Sequence, residues 1–265
     1  MQLQDIHIYP IKSLGGVRVS EAQVEIRGFQ FDRRWMLVDE NGRFLSQRTL
    51  HELALLQVII ESQGLKIMHK QQPELLHWIP FEPQTNNFIP VTVWDDTVIG
   101  QLVSPESNDW FSRALGIPCR LVRMPLSTKR HIEEKHAVNQ ETVSFADAMP
   151  FLIIGQKSLD DLNGKLIVPV PMNRFRPNLV FSGGEAFEED KWEKVKIGEC
   201  LFKITKPCGR CVVTTVDQET AITGKDPLKT LAQYRTVGKK VLFGQNMIAL
   251  TTGTVKVGDV VQEVW

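Results

Sequence analysis

The sequence is short of cysteine, with four in 265 residues, and it has no charge excess, with 31 Lys and Arg against 31 Asp and Glu. Four thiols make no disulfide framework for a chain of this size, so the natural compartment is a reducing cytoplasm. The charge balance gives no support to general nucleic-acid or membrane binding, and any basic patch has to be local. No apolar run approaches the ~20 residues that cross a bilayer. The N-terminus also lacks the basic segment and apolar core of a signal peptide. Internal repeats and low-complexity tracts are missing too. A hydrophobic content of 42% is enough for one large or two modest domains with a substantial core.

What is present is mainly short and alternating. Residues 3–8, 17–26, 35–38, 54–60, 64–69 and 91–98 read as strands separated by Gly, Pro and Asn turns. A second set is expected at 151–154, 178–181, 201–205, 212–216 and 247–250, with a hairpin-like segment at 255–261. Ser104-Pro105-Glu106 makes a helix start and Gly116 a stop. Further helices are expected at 157–163 and after Asp226-Pro227, where Leu228, Leu231 and Tyr234 share a face suited to core packing. The fold class is therefore α+β and β-rich.

The most informative stretch is Pro207-Cys208-Gly209-Arg210-Cys211, followed by the β-branched run from Val212 to Val216. A cysteine acts as ligand or nucleophile only as the thiolate, and the fixed charge of Arg210 favours that form at Cys211. The two-residue spacing fits half a structural zinc site, a redox pair or two ordinary thiols. Zinc needs a second pair or clustered histidines, whereas Cys119 and Cys200 stand alone and His131 and His136 lie in a polar run. A thioredoxin-type pair needs a following helix, and the residues after Cys211 favour a strand.

Cations recur elsewhere at strand ends. On an extended chain Arg174 and Arg176 flank Phe175 and face one way, as a planar-anion clamp requires. Pro10 breaks the first ladder and leaves Lys12 and Ser13 on a loop, while Arg33 and Arg34 head the strand at 35–38. Each could equally be a salt-bridged or solvated surface residue. The polar segment 127–139 reads as either a mobile flap or a plain surface loop.

Taken in order, Tyr-Pro-Ile-Lys-Ser at 9–13, Phe-Asp-Arg-Arg-Trp at 31–35, Ser-Phe-Ala-Asp at 144–147, Arg-Phe-Arg-Pro-Asn at 174–178, Pro-Cys-Gly-Arg-Cys at 207–211 and Phe-Gly-Gln-Asn at 243–246 resemble a MOSC-domain protein with its N-terminal β-barrel partner. The likeness extends to bacterial reductases of N-hydroxylated bases and to the mitochondrial amidoxime-reducing component. The resemblance implies an N-terminal barrel over residues 1–100 packed on a MOSC barrel over 101–265. It also implies a molybdenum cofactor whose metal is held by the second cysteine, Cys211. Lys12, Ser13, Arg33, Ser144, Arg174, Arg176 and Arg210 would contact its pterin and phosphate.

Two departures stand out. Ala148-Met149-Pro150 replaces the hydroxyl residues of the amidoxime-reducing proteins, and the chain stops at Trp265, where some bacterial relatives continue into a ferredoxin domain. With no cysteine array for an iron–sulfur cluster and no flavin or nicotinamide fingerprint, electrons are expected from a separate ferredoxin-like or flavoprotein donor. The implied activity is reduction of hydroxylaminopurines, amidoximes or hydroxylamines. The alternative is a cofactor carrier or sulfur-delivery module like the MOSC portion of molybdenum-cofactor sulfurases, although the chain has no room for their pyridoxal-phosphate domain.

Overall fold

The alternation at the N-terminus forms a strand, Gln2–Ile8, whose neighbours define the architecture. In the computed structural model, which describes residues 1–264, this strand lies inside a sheet built mostly from the C-terminal half. The order is Val261–Val264, Lys194–Ile197, Cys200–Arg210, Lys240–Ala249, Phe151–Gly155, Leu179–Ser182, Gln2–Ile8 and Val17–Val19, with Thr236–Val237 paired to Lys240–Ala249. Phe151–Gly155 and Leu179–Ser182 run parallel, and the helix Gln156–Asn163 lies in their crossover, as a parallel connection requires. The remaining strands form a sheet of Trp35–Val38, Arg120–Arg123, Asp96–Leu102 and Phe88–Val93, a second of Leu56–Ile60, Gly64–His69 and Gln72–Pro80, and a third of Gly253–Lys256, Glu21–Glu25 and Gly28–Phe29.

The helix Pro105–Leu115 begins and ends where its capping residues dictate. Ser104 Oγ accepts the Ser107 N–H at 3.0 Å, and Gly116 leaves in the left-handed region at φ 67°. Its Trp110, Phe111 and Leu115 pack on Leu53, Leu65 and Leu121. No helix among the described residues is long and apolar enough to cross a membrane.

Several expected strands are divided. Residues 17–26 become Val17–Val19 and Glu21–Glu25, and residues 91–98 become two arms of a hairpin turning at Trp94 and Asp95. Ala54 belongs to a 3-10 turn, His51–Leu55, ahead of Leu56–Ile60. The largest correction falls on residues 212–216, which form a 3-10 turn, Val212–Thr215, rather than a strand. There the hydroxyls of Thr214 and Thr215 donate back to the carbonyls of Cys211 and Val212 at 2.9 and 2.7 Å, so local side-chain bonds override β propensity.

Two devices fix this framework. The first is Asp32, fully buried, which accepts the Tyr9 N–H at 2.8 Å, the Arg33 guanidinium at 2.8 and 2.9 Å, and the Asn178 amide at 3.2 Å. Asn178 in turn donates to the His7 carbonyl and accepts from Leu152 N–H, so one carboxylate ties the first strand to the C-terminal half. The second is a bulge in which Phe243 and Gly244 face Cys208 alone, between the pairs Gly209–Leu242 and Pro207–Gln245. Gly244 has φ 80°, and a Cβ there would lie 2.6 Å from Ile154 Cγ1 and 2.9 Å from the Ile153 carbonyl.

Two consequences can be measured by chemical denaturation. Asp32→Asn keeps an acceptor for Tyr9 but leaves Arg33 without its counter-charge, and should cost about 3 kcal/mol. Gly244→Ala combines a disfavoured backbone with a backbone clash and should cost about 2–3 kcal/mol. Wild-type midpoints for either variant would remove that device from the account.

Candidate cofactor site

Cys211 is placed by the long strand Cys200–Arg210, which carries the motif to the end of the large sheet before the chain turns into Val212–Thr215. The cysteine thus stands just past the end of a strand, not at the mouth of the next one. Arg210 is pinned by Nε to the Phe243 carbonyl at 2.9 Å and by Nη1 to the Phe175 carbonyl at 3.0 Å, so the Phe243–Gly244 bulge sets its position. Cys208 and Cys211 are both half-buried and line one cavity, and all four cysteines are free. Burial raises the Cys208 thiol above its usual range despite Arg210, so Cys208 is held as the protonated neighbour.

Around the thiols converge the cations and the hydroxyl expected from separate parts of the sequence: Lys12, Ser13, Arg33, Arg174, Arg176 and Arg210 all line this cavity. Arg174 and Arg176, however, do not project from an extended chain. Arg174 ends the 3-10 turn Met172–Arg174, and Arg176 is left-handed at φ 53°. Arg174 donates to the Thr214 and Thr215 carbonyls, each at 2.9 Å, and to Asp217 at 3.0 Å, so it braces the turn that follows Cys211. Arg176 donates to the Leu14 carbonyl at 2.8 Å.

Tyr9 organises the rest. Its ring lies between two guanidiniums, Arg33 at 4.2 Å and Arg176 at 4.3 Å, and its hydroxyl donates to the Pro177 carbonyl at 3.1 Å. The ring's negative faces offset the repulsion between like charges. Burial pushes the Tyr9 phenol up to about 12 against the pull of Arg176 and Arg33, and burial brings Arg176 down to about 10. Ser13, Arg33, Trp94 and Arg176 all line the cavity with positive φ and are not glycines, a concentration of strain typical of functional sites.

Lys12 enters from the first loop and donates to the Phe145 carbonyl at 2.8 Å and to Asp147 at 2.5 Å. The Asp147 carboxylate is 68% exposed, to the open cavity rather than to protein, and also accepts the Trp94 indole N–H at 3.1 Å. Enclosure by the cavity walls opposes its ionisation, but Lys12 and the Trp94 bond outweigh that and hold it well below the usual carboxylate range. Burial lowers Lys12. Ser144 is the one expected contact that does not line the cavity: it is fully buried, and its Oγ accepts the Ala146 N–H at 3.3 Å. Segment 127–139 is likewise anchored rather than solvated at Arg130 and Ile132, which are buried. Arg130 donates to the carbonyls of Ser144, Ala146 and Asp147. A wider groove shares Arg48, Trp94, Asp147 and Cys208 with the cavity and opens it to solvent.

The donor set suits a soft metal carried on an anionic group. Six cations line the cavity, counting Arg48, which stacks on Trp94 at 4.2 Å, against the single carboxylate of Asp147. Asp147, Asp32 and Asp217 pair with Lys12, Arg33 and Arg174, which leaves Arg48, Arg176 and Arg210 without a carboxylate among the described residues. Arg210 Nη2 is buried with no hydrogen-bond partner, an atom that an anionic ligand would satisfy. Among the described residues no three His, Cys, Asp or Glu side chains form a metal-holding group, so a metal here would rest on one thiolate and on its own organic ligand. Sequence reasoning missed Tyr9 as an aromatic spacer, together with Trp94 and Arg48. Trp94 carries no local signal, because only the folded hairpin brings it to Asp147.

Residues 1–118 match the MOSC N-terminal beta barrel domain and residues 140–262 the MOSC domain. The chain is 35% identical over 270 residues to mitochondrial amidoxime-reducing component 1 of Mus musculus, covering 95% of this chain and 79% of that one. Against the Homo sapiens protein of the same name the identity is 32%, with 95% and 80% covered. Molybdenum cofactor sulfurase of Oryza sativa subsp. japonica is 32% identical over 263 residues, covering 92% of this chain but 32% of the sulfurase. With both domains matched in order and the cation-lined thiol site formed between segments of each, the chain belongs to the MOSC family, in the group that carries the MOSC N-terminal beta barrel domain.

Proposed function

We propose that the chain is a molybdenum-dependent reductase of N-hydroxylated compounds, such as hydroxylaminopurines, amidoximes and hydroxylamines, supplied with electrons by a separate redox protein. The observation that carries this reading is the meeting of the Cys211 thiol with guanidiniums that lack a carboxylate partner in one open cavity. The name amidoxime-reducing component, borne by relatives matched over most of their length, supports the substrate class. The cytoplasmic compartment expected from the sequence is kept in this reading, supported by four free thiols, although those relatives are named mitochondrial.

When bound, the molybdenum–pterin group supplies two-electron redox chemistry at the N–O bond. Cys211 is the proposed metal ligand, while Lys12, Ser13, Arg33, Arg174, Arg176 and Arg210 are the proposed cradle for the pterin and phosphate. Ser144 acts from behind, by fixing the turn that carries Asp147. Asp147, held ionised by Lys12, accepts N–H groups of the substrate rather than donating a proton. The overall change is R–NH–OH + 2 e⁻ + 2 H⁺ → R–NH₂ + H₂O, with protons drawn from water in the open groove. Similarity to the sulfurase supports a second reading, a cofactor carrier without reductase turnover.

The two cysteines should separate cleanly in protein made in a host that synthesises the molybdenum cofactor. Cys211→Ala should lower molybdenum retention by ~10–100-fold and abolish turnover, while Cys208→Ala keeps most of both. Equal losses would point to a paired-cysteine site. With reduced viologen as donor, molybdenum-loaded wild type should convert a hydroxylaminopurine or a simple amidoxime to its amine or amidine, and NADH alone should give no product. Viologen-driven turnover decides between reductase and carrier: none, in a sample with measured molybdenum content, selects the carrier.

A further inference from the structure

Building on the reductase reading, we propose that the end of the large sheet beside Cys211 is the docking surface for a small acidic electron-carrier protein. Arg210, Val241 and Thr236 form one row across three strands. The strand directions place Val212, Val237, Lys239 and Lys240 beyond that row, at the same end of the sheet as Cys211. Val212 is 51% and Val237 67% exposed, and both lysines are exposed at the outer rim of the groove. The Lys240 stem lies on Gly209, with its Cδ 3.5 Å from where a Cβ of Gly209 would stand. The Lys240 stem therefore lies against the cysteine loop.

Most carboxylates around this groove are engaged elsewhere, Asp96 with Arg130 among them, while Asp95 in the same groove has no ion-pair partner among the described residues. Glu133 takes Lys206 and Lys135, Asp190 takes Arg235, Asp217 takes Arg174, and Glu219 takes Lys70. Neither Lys239 nor Lys240 has an ion-pair partner among the described residues. In a chain with equal numbers of acidic and basic residues, this is a local positive field around exposed apolar side chains, and an acidic carrier complements it.

The location also follows from the chemistry. Electron-transfer rates fall steeply with distance, and Val212 is covalently next to Cys211. The described residues contain no three-ligand metal cluster to act as a relay. A carrier seated on Val212 and Val237 would bring its redox centre close to Cys211. Two successive one-electron deliveries from it, with two protons from water, complete the reduction of one N–O bond.

The test uses the whole chain, an acidic [2Fe–2S] ferredoxin and, as the charge-reversed control, a basic cytochrome c. Binding is measured by calorimetry at low and high salt, and turnover is driven in parallel by ferredoxin and by viologen. Wild type should bind ferredoxin at low salt. Lys239→Glu with Lys240→Glu should weaken that binding at least ~10-fold, the difference shrinking as salt screens it. The double variant should lose ferredoxin-driven turnover, keep viologen-driven turnover, and gain affinity for cytochrome c. Undiminished ferredoxin binding by the double variant, or none by wild type at low salt, overturns the surface. A binding shift without viologen turnover in wild type supports the surface and removes the reductase reading instead.

Discussion

One buried carboxylate holds the arrangement together. Asp32 receives donors from Tyr9, Arg33 and Asn178, and those residues come from the first strand's end, its own loop and the start of Leu179–Ser182. A buried ion pair adds little net stability compared with apolar packing, because desolvation offsets attraction. What it does here is fix register. Every partner of Asp32 carries or flanks a group that lines the cavity, so a slip of the first strand by one residue would move Lys12 and Arg33 away from Cys211. Satisfying one side chain therefore also aligns the halves of the site.

Repulsion is the second constraint. Bringing Arg33, Arg176 and Arg210 to one cavity costs energy that paired carboxylates relieve only for Arg33. The Tyr9 ring, held between two guanidiniums, and the backbone carbonyls of Leu14, Phe175 and Phe243 supply the rest. These are weak, neutral acceptors. The cavity stays electropositive because its cations are positioned without being neutralised, which is the condition an anionic ligand needs.

Much of this was legible in the sequence, though unevenly. Short alternating segments announced a β-rich fold, and the Ser104 and Gly116 signals bounded a helix. The site was legible as separated motifs, since Lys12, Ser13, Arg33, Arg174, Arg176, Arg210 and Cys211 do share a cavity. Period-two alternation is not what brings Arg174 and Arg176 together: a 3-10 turn and a left-handed residue place both side chains in the same cavity. The run 212–216 misled because threonine is both a strand former and a residue that bonds its own backbone, and the second property won next to Cys211. Ser144 lies behind the cavity wall, while Ala146 and Asp147 of the same segment face the cavity. Trp94 and Tyr9 were out of reach, because what they do depends on partners brought from far along the chain, Asp147 for Trp94 and Arg176 for Tyr9.

The place of Gln2–Ile8 in the large sheet has a consequence for how the protein is made. The strand's partners include residues 179–182, and Met1 and Leu3 bond to Val261, Asp259 and Gly258. A chain emerging from the ribosome N-terminus first can pair this apolar strand with Val17–Val19, but its other edge stays open until the late segments arrive. Such long-range closure makes for slow folding and for an interval in which an unsatisfied edge is open to chaperones or to misassembly. The cavity needs segments from Lys12 to Asn246, because Lys12 and Cys211 meet only after that closure. A fragment carrying the cysteine motif without the first strand would offer an anionic ligand half a cradle.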